Sequence, residues 1–228
     1  MAEFFENLFG NGMASTYGEA ILSTLKVTVF GTLISYLIGL PLGIILYGTS
    51  KKGIFPQKAV NTAVGIIVNI LRSVPFVILL VLSQPIAKFL IGTKLGDNAF
   101  IIYLVIAAAP FVARMVESSL SEVNAGVIEA AQSMGSTNMQ IIFKVLLPEA
   151  RPSLVIGSAI AITTILGYTP MTYLIAGGGL GQLAIQSGLY RFNKTIMYMS
   201  SILLVILVQI MQEVLTRLAK KFDRRAGK

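Results

Sequence analysis

The sequence predicts an all-α protein that crosses a membrane five times. Of its 228 residues, 55% are hydrophobic and only 12% are charged, and the mean hydropathy is +0.79. Soluble domains carry about a quarter of their residues as charges, so most of this surface must face lipid. Five apolar stretches approach or exceed the roughly 20 residues that a bilayer core demands. They cover residues 20–48, 59–83, 99–116, 153–176 and 195–216.

The composition also excludes several classes of protein. No polar stretch is long enough for a separate soluble domain, so residues 1–228 are predicted to form a single transmembrane domain. Cysteine and histidine are absent, which excludes disulfides, thiol catalysis and metal sites built on thiolate or imidazole. The sequence lacks a P-loop motif, and no triad or carboxylate dyad suggests catalysis. We therefore expect no catalytic residue, cofactor or metal in this chain.

The distribution of lysine and arginine predicts the orientation of the spans. The net charge of +8 could suggest nucleic-acid binding, but the basic residues lie at the ends of apolar runs, as membrane topology requires. With the N-terminus outside, twelve basic residues face the cytoplasm, four lie outside, and Lys26 and Arg72 fall within spans. Residues 1–19 contain three glutamates and no basic residue, so a secretory signal peptide is not expected.

The first two spans each carry one unusual feature. Gly39 and Gly43 in the first span form a small-xxx-small pair that lets a neighbouring helix approach closely, although such pairs also arise by chance. Arg72 lies near the middle of the second span, where an arginine costs at least ~2.5 kcal/mol unless it faces protein or water. It is interpreted either as a residue of a translocation pathway or as a clasp between helices.

The connection after the third span, residues 117–148, begins with an amphipathic pattern. Apolar residues recur there at helical spacing, so they are predicted to share one helix face. Glu122 and Glu129, seven residues apart, are predicted to lie together on the opposite face. The apolar residues are Leu120, Val123, Val127, Ile128, Ala131 and Met134.

Local signals divide this connection into two helices. Gly135 is expected to adopt the left-handed conformation that ends a helix. Thr137, followed three residues later by Gln140, predicts a capping box that starts the second helix. Pro148 and Pro152 are predicted to end that helix.

The fourth span contains a polar cluster within otherwise apolar sequence. Hydroxyl groups on a membrane helix must find partners, either in a bundle interior or along a wet path. The cluster is predicted to form the constriction of a translocation pathway, with ordinary interhelical hydrogen bonding as the alternative. Its residues are Tyr168, Thr169, Pro170, Met171 and Thr172, and Pro170 should kink the helix. The glycine-rich run at 176–181 is predicted to form a tight turn that re-enters the membrane surface.

Residues in the long connection follow the spacing E-A-A-x3-G-x9-I-x-L-P, with Val145 where isoleucine is usual. This pattern resembles the coupling motif of bacterial ABC importer permeases. The resemblance implies that residues 117–148, here called the coupling segment, contact a cytoplasmic ATPase. The alternative is an interfacial amphipathic helix without a partner. The matching residues are Glu129, Ala130, Ala131, Gly135, Val145, Leu147 and Pro148.

Over its whole length the chain resembles the methionine-uptake branch of that family. The resemblance rests on residues 71–76, the coupling motif, the glycine run and residues 182–185. It implies the type I importer fold, a homodimer in the bacterial inner membrane, an ATPase dimer that holds ATP and Mg²⁺, and a substrate-binding lipoprotein. The substrate would be L-methionine, with D-methionine and close derivatives as further candidates. Gln182, and Tyr168 to Pro170, depart from the family pattern.

Three other functions are weighed against methionine import. One is a related permease for another small solute, such as a quaternary-ammonium osmoprotectant. A membrane enzyme acting on lipid would need a catalytic cluster at headgroup depth, which the sequence lacks. A passive channel would need an acidic or carbonyl filter and would leave the coupling motif unexplained.

Overall fold

A computed structural model of the chain describes residues 13–222, which form helices without any β-strand. The all-α prediction is confirmed for these residues. The prediction that residues 1–19 are not a signal peptide falls partly outside the described residues. The basic tail beyond Phe222 also lies outside them. The α-helices are α1 (Met13–Gly48), α2 (Lys58–Ser73), α3 (Phe76–Ile91), α4 (Asp97–Ser121), α5 (Ala125–Ser133), α6 (Asn138–Gln140), α7 (Leu147–Tyr168), α8 (Leu180–Leu183) and α9 (Lys194–Phe222). Ile141–Leu146 and Ala184–Tyr190 are π-helical, and Thr169–Ile175 is a 3₁₀ helix.

The structure contains the predicted spans with different bounds. Four helical runs within residues 13–222 are long and apolar enough to cross a membrane, and a bent pair of helices adds a fifth. The four runs are Met13–Gly48, Asp97–Ser121, Asn138–Ile175 and Lys194–Val214.

The second span is the bent pair, two helices that meet at an angle of 114°, where the sequence shows one apolar stretch. Helix α2 ends at Ser73, Val74 is extended with ψ 126°, and Pro75 follows with ψ 139°. The proline ring disfavours the helical conformation of the residue before it, which explains the break. The Ser73 hydroxyl donates a hydrogen bond to the Asn69 carbonyl at 2.8 Å.

The prediction that Pro148 and Pro152 end a helix was also wrong. A helical run continues from Asn138 to Tyr168, with Pro148 in the first turn of α7 and Pro152 inside it. The π-helical turn before α7 explains the tolerance of Pro148, since the N–H of Leu147 reaches the carbonyl of Ile142, five residues back. A widened turn leaves room for a proline ring and its missing donor.

Contacts divide the chain into two compact units, each drawn from separate parts of the sequence. The first unit contains residues up to Leu33, Pro75–Ile106 and Ile162–Gln212; the second contains Ile34–Val74, Ala107–Ala161 and residues from Glu213. That residues 1–228 form a single transmembrane domain stays a prediction.

In the second unit α1 packs directly on α4 through Gly39 and Gly43. A Cβ atom at Gly39 would lie 2.7 Å from the Cβ of Val112 and 2.9 Å from the carbonyl oxygen of Ala109. At Gly43 it would lie 2.5 Å from the Cβ of Val116. Only glycine permits backbones this close, so the predicted packing role of the pair is confirmed.

In the first unit the glycine loop, residues 176–181, is held by the starts of α1 and α4. Asp97 Oδ1 accepts a hydrogen bond from the N–H of Gly178 at 2.7 Å, and Asp97 Oδ2 accepts one from the Ser23 hydroxyl at 2.7 Å. Thr24 Oγ1 accepts the N–H of Leu180 at 2.9 Å. The predicted tight turn is therefore present and leads at once into α8.

Candidate functional site: the coupling segment

The coupling segment does not begin with the single amphipathic helix that its sequence predicts. Helix α4 ends at Ser121, and α5 starts at Ala125 after Asn124, whose side chain accepts the N–H of Gly126 at 2.8 Å. Glu122 lies in this break, so it does not share a helix face with Glu129. The short asparagine side chain caps a new helix and thereby resets the helical register.

The predicted apolar face is consequently only partly correct. Four of its six residues are buried: Leu120, Val123, Ile128 and Ala131. Val127 and Met134 are instead 42% and 79% exposed, so the prediction that they share a face with the other four was wrong. Ile128 and Ala131, three residues apart, form the stripe that attaches α5 to the core of the second unit.

Gly135 ends α5 as the sequence predicts. Its φ is +77°, and its N–H reaches the carbonyl of Gln132 at 2.9 Å. The N–H of Ser136 reaches the carbonyl of Ala131 at 3.1 Å. These two bonds form a Schellman motif, which satisfies the last carbonyls of the helix. No neighbouring atom lies within 4 Å of a Cβ built at Gly135, so its backbone conformation alone requires glycine.

The predicted capping box is confirmed. The N–H of Thr137 donates to Gln140 Oε1 at 2.9 Å, and the N–H of Gln140 donates to Thr137 Oγ1 at 3.4 Å. Helix α6 and the π-helical turn after it then enter the core through Ile141, Ile142 and Leu146.

The motif residues divide between the core and the surface. Ala131 lies in one apolar cluster with the partly buried Val145 and Leu147, together with residues of α1, α4 and the π-helical turn. Pro148 is half-buried, while Glu129 and Ala130 are exposed. The inward residues therefore fix the segment to the protein, and the outward ones remain available for contact.

Large apolar side chains are exposed in the same segment as Glu129. Met134, Met139 and Phe143 are between 60% and 79% exposed. Apolar side chains left uncovered in a polar connection are typical of a surface that binds another protein. We call this surface the docking face, and it comprises Val127, Glu129, Ala130, Met134, Met139 and Phe143.

Arg72, one of the residues predicted to line a pathway, is exposed at the end of α2. Among residues 13–222 no carboxylate lies within salt-bridge distance of its guanidinium. A clasp made through an ion pair is therefore not seen within the described part of the chain. Its role in a pathway stays a prediction.

The polar cluster at the end of α7 largely hydrogen-bonds to its own backbone. Thr169 is buried and donates to the carbonyl of Leu166 at 2.7 Å. The buried Thr172 hydroxyl lies 3.0 Å from the carbonyl of Thr169 and 2.8 Å from that of Gly178 in the glycine loop. These contacts are local to the end of α7, the 3₁₀ turn and the glycine loop, and a role of both threonines in a pathway stays a prediction.

The other members of this cluster lie where the helix changes. Helix α7 ends at Tyr168, and Pro170 and Met171 lie in the 3₁₀ helix that follows it. The Tyr168 ring stacks on Phe76 with centroids 4.5 Å apart, and Phe76 meets Phe100 edge to face. Tyr168 is half-buried, and a part in a pathway stays a prediction.

Sequence reasoning missed Arg114, which it counted only as a basic residue near the long connection. In the structure Arg114 lies in α4 and forms an ion pair with Glu117 at 2.6 Å. Its other terminal nitrogen bonds Asn69 Oδ1 at 2.9 Å and the Gly65 carbonyl oxygen at 3.4 Å, both in α2. The three-residue spacing of Arg114 and Glu117 was the available signal.

Comparisons with known proteins identify a family that the chain matches. Residues 39–228 match the family described as the binding-protein-dependent transport system inner membrane component. The chain is 44% identical over 206 residues to the probable D-methionine transport system permease protein MetI of Vibrio cholerae, a match that covers 90% of this chain and 92% of that protein. It is 42% identical over 181 residues to the methionine import system permease protein MetP of Bacillus subtilis, covering 79% and 82% of the two chains.

A solved structure shares the fold closely. A chain of the MetNI methionine ABC transporter, in an inward-facing conformation, matches with a TM-score of 0.91 and 41% sequence identity. The match covers 94% of this chain and 99% of that chain.

Proposed function

The chain belongs to the family of binding-protein-dependent transport system inner membrane components, and on that premise we propose that it is the permease subunit of an ATP-driven methionine importer. The similar permeases of V. cholerae and B. subtilis are both named for methionine transport, and the similar solved structure is a methionine ABC transporter. The chain is a multi-pass protein of the inner membrane. The charge distribution supports an outside N-terminus and a cytoplasmic coupling segment.

The docking face is the part of the chain that would receive mechanical work. An ATPase groove accommodates the exposed apolar side chains, and Glu129 pairs with a basic group at its edge. Helix α5 shares its apolar cluster with the end of α1, the end of α4 and the start of α7. Because such a cluster is close-packed, a displacement of α5 moves those helix ends with it.

The assembly that this mechanism requires contains further subunits. A two-fold homodimer of this chain would enclose the pathway, since closed two-fold symmetry is the commonest arrangement of identical subunits. Two ATPase subunits would hold ATP and Mg²⁺, and a lipid-anchored binding protein would deliver the substrate. L-methionine is the first candidate substrate, followed by D-methionine and close derivatives.

One observation carries the proposal: Glu129 is exposed on a helix whose opposite stripe is anchored in the core. Reversing its charge should leave the fold intact and break the contact with the ATPase. We expect Glu129→Lys to reduce methionine uptake into cells at least about tenfold, the effect of losing ~1.4 kcal/mol of binding. The amount of the variant in the membrane should stay unchanged.

Glu122→Lys is the matched control, because Glu122 is equally exposed but lies outside α5. Its uptake should remain near normal. Uptake at the normal level in the Glu129→Lys variant would refute the docking role. Competition of labelled L-methionine uptake by D-methionine and by a quaternary-ammonium compound would test the substrate separately from the coupling.

A further inference from the structure

A cavity of about 640 Å³ in the second unit has no part in the mechanism above. It lies between the connection that joins α1 to α2 and the last turns of α4, and it ends at the first residues of the coupling segment. Its volume is within the range of small-molecule sites. The residues that give it its chemistry are Tyr47, Lys51, Lys52, Arg114, Glu117 and Ser118.

The cavity has an excess of positive charge. Three cationic side chains and one carboxylate line it, and Glu117 is already paired with Arg114 at 2.6 Å. Lys51 and Lys52 are exposed, and within residues 13–222 neither has a carboxylate at salt-bridge distance. The Nε of Arg114 is buried without a hydrogen-bond partner. The wall therefore holds two positive charges that no group of the described chain neutralises.

The connection that carries the two lysines is folded tightly. The N–H of Phe55 reaches the Gly48 carbonyl oxygen at 2.9 Å, and the N–H of Gln57 reaches that of Thr49 at 3.0 Å. Asn61 Nδ2 of α2 donates to the carbonyl of Leu46 at 2.7 Å. Because the backbone is closed on itself by these bonds, the backbone positions of the two lysines beside the cavity are fixed before any ligand arrives.

From this charge and geometry we propose that the cavity binds a phosphate-bearing anion. Lysine ammonium groups are effective phosphate ligands, and the hydroxyl groups of Ser50 and Ser118 lie in the same wall. The cavity adjoins Gly48, where α1 ends, which places it at the boundary of a membrane span. Basic pockets at this depth on the cytoplasmic side receive the phosphate of anionic lipid headgroups. Free phosphate is the other source of the same chemistry.

The bound anion would contact the coupling segment next to the start of α5. Val123 and Ala125, which flank the capping residue of α5, also line the cavity. The location in the inner leaflet rests on the proposed function, because it assumes the cytoplasmic orientation of this connection. Binding itself does not depend on transport and is measured separately.

The test is native mass spectrometry of the full-length chain, extracted in mild detergent with the subunits that accompany it. Equal amounts of phosphatidylglycerol and phosphatidylcholine are added, and retained lipids are counted. A basic residue near the membrane surface contributes roughly fivefold to attraction of an anionic headgroup, so Lys51→Gln/Lys52→Gln should reduce the preference for phosphatidylglycerol roughly 25-fold. Equilibrium dialysis with labelled inorganic phosphate in phosphatidylcholine nanodiscs tests the free anion.

Two further variants separate the cavity from general surface charge. Lys88→Gln/Lys94→Gln removes two exposed lysines from α3 and the connection after it, and should keep the preference. Ser118→Phe fills the cavity without changing any charge, and should remove the preference. The site is supported if binding responds to the three variants in this way. A preference for phosphatidylglycerol would identify a lipid headgroup as the anion, and phosphate binding in phosphatidylcholine alone would identify free phosphate.

Other results would overturn the proposal. If the unmodified protein showed neither a preference for phosphatidylglycerol nor binding of phosphate, the site would be excluded. Retention of binding in Ser118→Phe would assign the effect to diffuse surface charge, provided that variant elutes as a folded protein. If the Lys51→Gln/Lys52→Gln variant bound lipid as before but lost the accompanying ATPase, the two lysines would be assigned to a contact between subunits.

Discussion

Gly135 in the coupling segment and Gly181 at the end of the glycine loop are both required by the structure, for opposite reasons. Gly135 has φ +77° and open space where a Cβ would lie. Gly181 lacks a positive φ, but a Cβ there would lie 2.3 Å from the Cα of Pro170. The first glycine serves the conformation of its own turn, and the second serves close packing between separate parts of the chain.

The hydrogen bonds around the two turns differ in the same way. The bonds at Gly135 and in the capping box join residues at most five positions apart. The glycine loop is held by Asp97 and Thr24, which are 81 and 156 residues away from the amides that they accept. A turn without long-range contacts leaves its surface uncovered, so another protein can bind there. A turn tied to distant helices is part of the internal framework.

The largest expected effect is that of Gly181→Ala. The added methyl group meets backbone atoms of Pro170, which cannot move aside as a side chain would. We expect a loss of about 3 kcal/mol in the free energy of unfolding, or failure to fold. Thermal unfolding in detergent, followed by size-exclusion chromatography, measures this.

Gly167→Ala is its control. Gly167 lies in α7 with no neighbouring atom within 4 Å of the Cβ position, and alanine should raise helix stability there by about 0.5–1 kcal/mol. If both variants unfolded at the same temperature, close packing would not distinguish Gly181 from an ordinary helical glycine.

A smaller effect is expected for Asp97→Ala. The change removes the acceptor for the N–H of Gly178 and for the Ser23 hydroxyl. Hydrogen bonds to a charged group contribute about 1.5–3 kcal/mol, so the glycine loop should open more readily. Hydrogen exchange should accelerate at residues 177–180 and remain unchanged in the coupling segment. Asp97→Asn keeps one acceptor oxygen, so its glycine loop should lose less protection from exchange. Equal exchange rates in both variants and in the unmodified protein would contradict a role of Asp97 in holding the loop.

The smallest effect on the isolated chain is expected for Gly135→Val, which strains one exposed turn by about 1–2 kcal/mol. Because that turn shapes the docking face, the strain should appear as weaker binding of the ATPase, roughly 5–30-fold. Co-purification of the two proteins measures this. Gly135→Asn is the control, since asparagine tolerates the left-handed conformation, and it should retain most of the binding. Undiminished co-purification of the valine variant would show that this turn does not shape the contact.

Local features of the chain were predicted well from the sequence. The capping box at Thr137 and the left-handed Gly135 follow from residues a few positions apart, and the structure contains both. A close approach at Gly39 and Gly43 was one of two interpretations of the small-xxx-small pair, and the structure contains it.

Predictions that required the register or the partners of a helix were less successful. Helical spacing was carried through residues 120–134, but the cap at Asn124 interrupts it and leaves Val127 and Met134 exposed. Pro148 and Pro152 were assigned to a helix end, although the helical run continues through both, with a π-helical turn just before Pro148. Asp97 attracted no attention, because its partners are far away in the chain.

The sequence by itself determined that this chain is a helical membrane protein, where its spans lie and which segment resembles a coupling motif. Those properties depend on composition and on spacing within a few turns. The tertiary structure alone decided which motif residues are buried and which are exposed, that Arg114 joins α4 to α2, and that Asp97 holds the glycine loop. Burial and pairing depend on residues brought together from distant parts of the chain, and one-dimensional spacing carries no record of them.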